Sequence, residues 1–253
     1  MENLSLVPHW KIQPVRVRGL FVFVLLLLFL GAGVCPGAGV GLPGTILASQ
    51  NTAQSPKSAE EIEYQVKAAF LYNFMKFTEW PKEIMDPPAD KEQTQKENAP
   101  KPPMVIGIVG TNPFGRAFDP LMDKKIKDRP LQVVQIPGLG DYLRRFPDRE
   151  QAIQRYFKDY EKTLHSCHVL FFCDSERGFL EEHIKQVQAL PILTVGDMDG
   201  FVRARGIIGF VKEDNKVRFE VQLTQAEKQQ LKISSQLLKL AKRVIQEKDT
   251  NDK

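Results

Sequence analysis

Met104-Val-Ile-Gly-Ile-Val109 runs straight into Gly110-Thr-Asn-Pro-Phe-Gly115. Six apolar residues that stop at a cluster of turn formers read as a buried strand. The same kind of unit recurs downstream. Leu131 to Ile136, Val169 to Phe172 and Ile192 to Val195 are short apolar runs, with helical stretches between them at roughly Asp148 to Leu164 and Glu176 to Ala189. Strands apolar on both faces that alternate with helices predict a parallel sheet covered on both sides. Upstream, Ser58 and Glu61 form a capping box for a helix with Ile62, Val66, Ala69, Phe70, Asn73, Phe74 and Phe77 on one stripe, ended by Trp80-Pro81. Downstream, Ile207 to Lys212 and Lys216 to Leu223 flank a polar turn, Glu213-Asp214-Asn215. Phe219, Val221 and Leu223 alternate with Arg218, Glu220 and Gln222, so this pair predicts an antiparallel hairpin with one wet face. A capping box at Thr224 to Glu227 follows. A last helix, capped by Ser234 or Ser235, carries Leu237, Leu238, Leu240, Ala241, Val244 and Ile245. The expected fold class is therefore α/β: a mixed, largely parallel sheet with helices on both faces and a C-terminal antiparallel hairpin.

Composition narrows the function. The 253 residues are 42% hydrophobic and 26% charged, which excludes a wholly disordered chain, a collagen-like fibre and a polytopic membrane protein. The formal charge of +4 is too small an excess to give a global footprint for nucleic acid. At the N-terminus, Lys11, Arg16 and Arg18 precede the apolar run Leu20 to Leu30, and small residues follow from Gly31 to Gly44. Basic, then apolar, then small is the pattern of a secretory signal peptide. The run of about 11 residues falls short of the roughly 20 that span a bilayer, and a retained anchor is the alternative. The expected divisions are a signal peptide with its small-residue region over 1–48, a linker over 49–58, one α/β domain over 59–246 and a disordered charged tail over 247–253. Asp86 to Pro103, rich in proline and charge, reads as a solvated loop.

Several motifs imitate chemistry without completing it. Gly31-Ala-Gly33 resembles a dinucleotide fingerprint, but the prolines and glycines after it forbid the helix that would meet a pyrophosphate. Cys35 as a lipidation site lacks a small residue at Val34. Gly110 to Gly115 has P-loop spacing, yet Arg116-Ala117 stands where the phosphate-binding Lys and the metal-binding hydroxyl are required. His165, Cys167, His168 and Cys173 suggest zinc ligands, but an extended strand holds His168 and Cys173 about 16 Å apart. The same strand puts Cys167 and Cys173 about 20 Å apart, too far for a disulfide. These two remain candidate redox thiols, with small buried apolar residues as the competing reading. No metal and no cofactor is expected. In open α/β sheets ligands bind at the carboxyl ends of strands, so the candidate ligand- or partner-binding residues are Gly110, Asn112, Ser175, Glu176, Gly196 and Asp197. Caps and turns favour the same residue types.

Gln65 to Pro81 (QVKAAFLYNFMKFTEWP), Ile106 to Gly115, Cys167 to Glu176, Leu193 to Asp197 and the stretch from Val217 to Ala241 together resemble the YfiR-like family. The resemblance covers about residues 60 to 245. It implies a non-enzymatic periplasmic α/β regulator that represses a membrane-bound diguanylate cyclase by contact, within cyclic di-GMP signalling and biofilm control. It also implies a homodimer, the periplasmic part of that membrane protein as partner, and an outer-membrane lipoprotein as a further one. The best-known member relies on disulfides, whereas here only Cys167 and Cys173 remain once the leader is removed. The first helix with its Trp80 end and the strand exits are the candidate contact surface. The alternative function is a periplasmic small-molecule binding module that uses the crevice at the strand exits, and an enzyme is the third possibility.

Overall fold

The computed structural model describes residues 58–86 and 101–246. The leader, the linker, most of the proline-rich loop, Cys35 and the tail expected from the sequence lie outside the described residues.

The chain opens with helix α1 (Ala59–Phe77). Ser58 accepts a hydrogen bond from the Glu61 N–H and the Glu61 carboxylate accepts one from the Ser58 N–H, which completes the expected capping box. Strand β1 (Thr78–Glu79) and the single turn α2 (Lys82–Met85) lead to β2 (Met104–Val109). A short hairpin follows, β3 (Lys125–Ile126) and β4 (Arg129–Ile136), joined by Lys127 and Asp128 at positive φ. Then come α3 (Leu139–Arg145), α4 (Arg149–Ser166), β5 (Val169–Phe172), a 3-10 segment at Asp174–Phe179, α5 (Leu180–Val187) and β6 (Leu193–Gly196). β7 (Ile208–Glu213) and β8 (Lys216–Gln222) make the hairpin, and α6 (Leu223–Lys228), β9 (Lys232–Ile233), α7 (Ser235–Leu238) and β10 (Arg243–Ile245) complete the chain.

Eight strands form one sheet in the order β10-β8-β7-β6-β5-β2-β4-β3. β4, β2, β5, β6 and β7 are parallel, β8 runs antiparallel to β7, and β10 pairs parallel with β8. Taken in chain order the five parallel strands stand 2-1-3-4-5, a doubly wound arrangement whose switch point lies between β2 and β5. β1 and β9 form a separate two-stranded antiparallel sheet. The α/β class, the parallel centre and the hairpin agree with the sequence reading. Asp214 and Asn215 both take positive φ, as the tightest hairpin turn demands.

The core has two layers because side chains alternate across each strand. Met104, Ile106, Ile108, Val169 and Phe171 pack with Leu71, Phe74 and Met75 of α1 on one face. Val105, Val109, Leu170 and Phe172 pack with Tyr142 of α3, Tyr156 of α4 and Ile184 of α5 on the other. Helices therefore cover both faces, as expected.

Four details correct the sequence reading. Ile62, Val66 and Ala69 of α1 are exposed, and the buried stripe is Lys67, Ala68, Leu71, Phe74 and Met75. The residues after Leu238 form no further helix: Val244 and Ile245 belong to β10, paired along β8, and no Ser234 side chain caps α7. The Thr224–Glu227 capping box is not formed, since α6 begins at Leu223 and puts Thr224 inside the first turn. Glu176 lies inside the 3-10 segment Asp174–Phe179, with the α-helix beginning only at Leu180.

Candidate functional site

At the exit of β2, Gly110 turns the chain with φ +96°, a conformation that L side chains rarely adopt. Its N–H donates to Ile136 O at 3.0 Å. A Cβ at this position would lie 2.4 Å from Ser175 Oγ, so glycine is required by closeness as well as by φ. The next N–H, of Thr111, donates to Ser175 Oγ at 2.9 Å, and Asn112 Oδ1 accepts from the Phe114 N–H at 2.8 Å. Asn112 thus shapes its own turn.

The exit of β5 supplies Ser175 and Glu176. The Glu176 carboxylate accepts from the Leu139 N–H at 2.9 Å, meets His183 Nε2 at 2.9 Å, and accepts from the Ser175 hydroxyl at 3.3 Å. Glu176 and His183 are 2% and 1% exposed. Burial alone would raise the Glu176 pKa. The hydrogen bonds from His183, the Leu139 N–H and Ser175 outweigh it and hold the carboxyl below its ordinary value. Tyr156, Phe157 and Phe172 pack around the His183 ring. The crevice at the switch point is therefore occupied by the chain's own carboxylate, seated on the first N–H of α3 where a bound anion would otherwise sit.

The exit of β6 brings Asp197 to α1 on the opposite side of the sheet. Lys67 Nζ lies 2.5 Å from the Asp197 carboxylate and 2.6 Å from that of Glu63, and the Tyr64 hydroxyl donates to Asp197 at 3.2 Å. Lys67 is 3% exposed. The bond from Lys67 lowers the Glu63 pKa; burial, and then the Asp197 charge, raise that of Tyr64. Gly196 packs under Phe201, whose ring supplies the three atoms nearest to where a Cβ would stand.

The sequence-based candidates therefore split into groups. Gly110, Ser175 and Glu176 meet, with Asn112 one turn away, while Asp197 joins α1. Trp80 lies at the other end of β5, its ring edge-on to His168 at 5.9 Å with Lys127 Nζ 5.3 Å above it. His168 Nδ1 accepts from the Val105 N–H, and burial together with Arg129 and Lys127 lowers its pKa to about 4. Two surface cavities, of about 260 and 450 Å³, are lined by residues of α4 and α5 and by residues around Pro81 and Leu231. None of the strand-exit residues lines either cavity. Sequence reasoning missed Lys67 and His183. The available signals were a lysine inside an apolar helical stripe, four residues from Glu63, and a histidine two helical turns from Glu176.

Cys167 and Cys173 are buried and unpaired. Cys167 packs against Gly107 in the α4/α5 layer, and Cys173 faces the α1 layer. The sheet stands between them. Burial pushes both thiols up to about 12. Among the described residues no cluster of His, Cys, Asp and Glu has the size of a metal site, and no helix is long and apolar enough to cross a membrane.

With this geometry in view, comparison with known families gives one assignment. The family profile described as YfiR/HmsC-like matches residues 64–242. The chain belongs to the YfiR/HmsC-like family. That span starts at Tyr64, beside the buried Lys67, and reaches past α7, so it takes in every strand of the YfiR/HmsC-like domain described above except β10. No curated protein sequence matches the chain. Among solved structures it is similar to an ABC domain in complex with L-Trp from Streptococcus pneumonia. The identity is 8% over 56% of this chain and 55% of that one, with a TM-score of 0.39. It is also similar to a conserved domain protein from Vibrio cholerae, at 12% identity over 56% and 54% of the two chains, with a TM-score of 0.37. The chain spans about half the length of these structures.

Proposed function

We propose that this protein is a periplasmic, non-enzymatic regulator that represses a membrane-bound diguanylate cyclase by binding its periplasmic part. The family match over residues 64–242 carries the reading, because it covers every strand of the sheet but the β10 edge rather than one motif. The site geometry supports action by contact. Glu176, His183 and Asp197 are engaged within the fold, and both thiols are held protonated by burial. Repression is then a population shift: the bound partner is held in its inactive state, and release restores it. A homodimer and release by an outer-membrane lipoprotein extend the same reading. Cyclic di-GMP measured in a deletion strain tests it. The nucleotide should rise on deletion and return to the parental level on complementation, and an unchanged level would refute the repressor role. Sedimentation of the exported form tests the dimer. A small-molecule site at the strand exits would require Glu176 to leave its three hydrogen bonds. A thermal-shift screen of metabolites tests that alternative, since a ligand at 100 times its Kd stabilises a protein by about 2.7 kcal/mol.

A further inference from the structure

The crossover from β6 to β7 carries no helix. It is a closed loop, 197–207, built to stand still. Phe201 is 1% exposed and lies between two glycines: a Cβ at Gly196 or at Gly206 would come within 2.2 and 2.1 Å of its ring. Val202 is buried beside it. Gly200, at φ +80°, accepts hydrogen bonds from the N–H groups of Arg203 and Ala204, and the Gly206 N–H donates to Phe201 O. What this anchored frame presents is Arg203-Ala204-Arg205, all three exposed.

Among the described residues neither guanidinium group has a partner. Every other arginine among the described residues holds a carboxylate or lies over an aromatic ring. Arg116 pairs with Asp119 and Arg177 with Asp174, while Arg145 covers Tyr142 and Arg155 covers Phe146. Asp199, exposed in the same loop, lies within ion-pair distance of neither. Arg205 also stands at φ +68°, where glycine or asparagine is the favoured residue. An unpartnered charge at a left-handed position on an anchored loop is placed for recognition.

We propose that Arg203 and Arg205 form a docking tip for an acidic stretch of protein, on the periplasmic part of the membrane protein that this chain regulates; the inference rests on that functional reading. The chemistry selects this occupant. Paired guanidinium forks match carboxylates by bidentate, charge-assisted bonds. Arg203, Ala204 and Arg205 stand outside both cavities described above, on an exposed turn. The exposed residue between the two arginines is an alanine, with none of the bulky apolar groups that insert into a lipid surface. Because the arms are held in place, docking orders little besides the two side chains.

The test is complementation of the deletion strain with full-length protein. Arg203→Glu/Arg205→Glu should leave cyclic di-GMP at the deletion level, and Arg203→Lys/Arg205→Lys should restore part of the repression. Arg203→Gln/Arg205→Gly is the control for folding. It removes both charges and relieves the left-handed position, so its exported form should melt at or above the parental temperature while repression is lost. A charge-reversed protein that represses as well as the parent overturns the docking tip and leaves the repressor reading standing. A deletion with no effect on cyclic di-GMP removes the repressor reading and this inference with it.

Discussion

Glu176 is a buried carboxylate, and its neighbours decide its worth. Replacing it with alanine leaves His183 and the Leu139 N–H buried without their acceptor. The expected cost is about 3 kcal/mol, read from denaturant unfolding of the exported form. The pH dependence follows from the lowered pKa. A carboxyl that is more acidic in the folded state than its ordinary 4.5 contributes stability that is fully present above that value. The contribution is lost as pH falls through the folded pKa, so the parent should lose stability below about pH 4.5 and Glu176→Ala should lose less over that range. Lys67 is the converse case, a buried cation between two partly exposed carboxylates. Lys67→Met should destabilise by about 2–3 kcal/mol, and Asp197→Asn in the same background should recover part of it, because the second change removes the orphaned charge. Cys167 and Cys173, protonated and buried, should resist alkylation in the native protein and both react in denaturant, as mapped by mass spectrometry.

At the level of elements, the β6–β7 crossover depends on two glycines without side chains to strike Phe201. Gly206→Ala should force that ring out of its seat at a cost of about 1–3 kcal/mol in thermal or chemical unfolding, whereas Gly178→Ala, with open space around it, should not. The central strands were legible in the sequence because a strand covered on both faces is apolar at every position, as 104–109 is. The ends were not. Leu237, Leu238, Ala241, Val244 and Ile245 fit helical spacing, yet the open edge of β8 offers a ladder that captures 243–245 as a strand. The stripe of α1 was misjudged by one residue in the turn. Lys67 is drawn inward by Asp197, 130 residues away, and no local periodicity records that. The strand-exit rule was enough to find Gly110, Ser175 and Glu176 as neighbours, because turn residues after apolar runs mark those exits. It could not find His183 or Lys67, whose roles depend on which helix lands on which face.

For the molecule as a whole, stability should fall off from the centre of the sheet. β2 and β5 have hydrogen-bonded neighbours on both sides and buried residues throughout, while β10 is a three-residue edge with two exposed side chains. Native-state hydrogen exchange should therefore find the slowest amides in 105–109 and 169–172 and rapid exchange at 243–245. Uniform protection across the sheet would contradict that gradient. The position of the two thiols sets a last property of the whole. With a wall of strands between Cys167 and Cys173, the native contacts of the described domain are complete without any covalent crosslink. The domain should reach the same structure in a reducing cytosol as in an oxidising compartment, independent of thiol oxidants and disulfide isomerases.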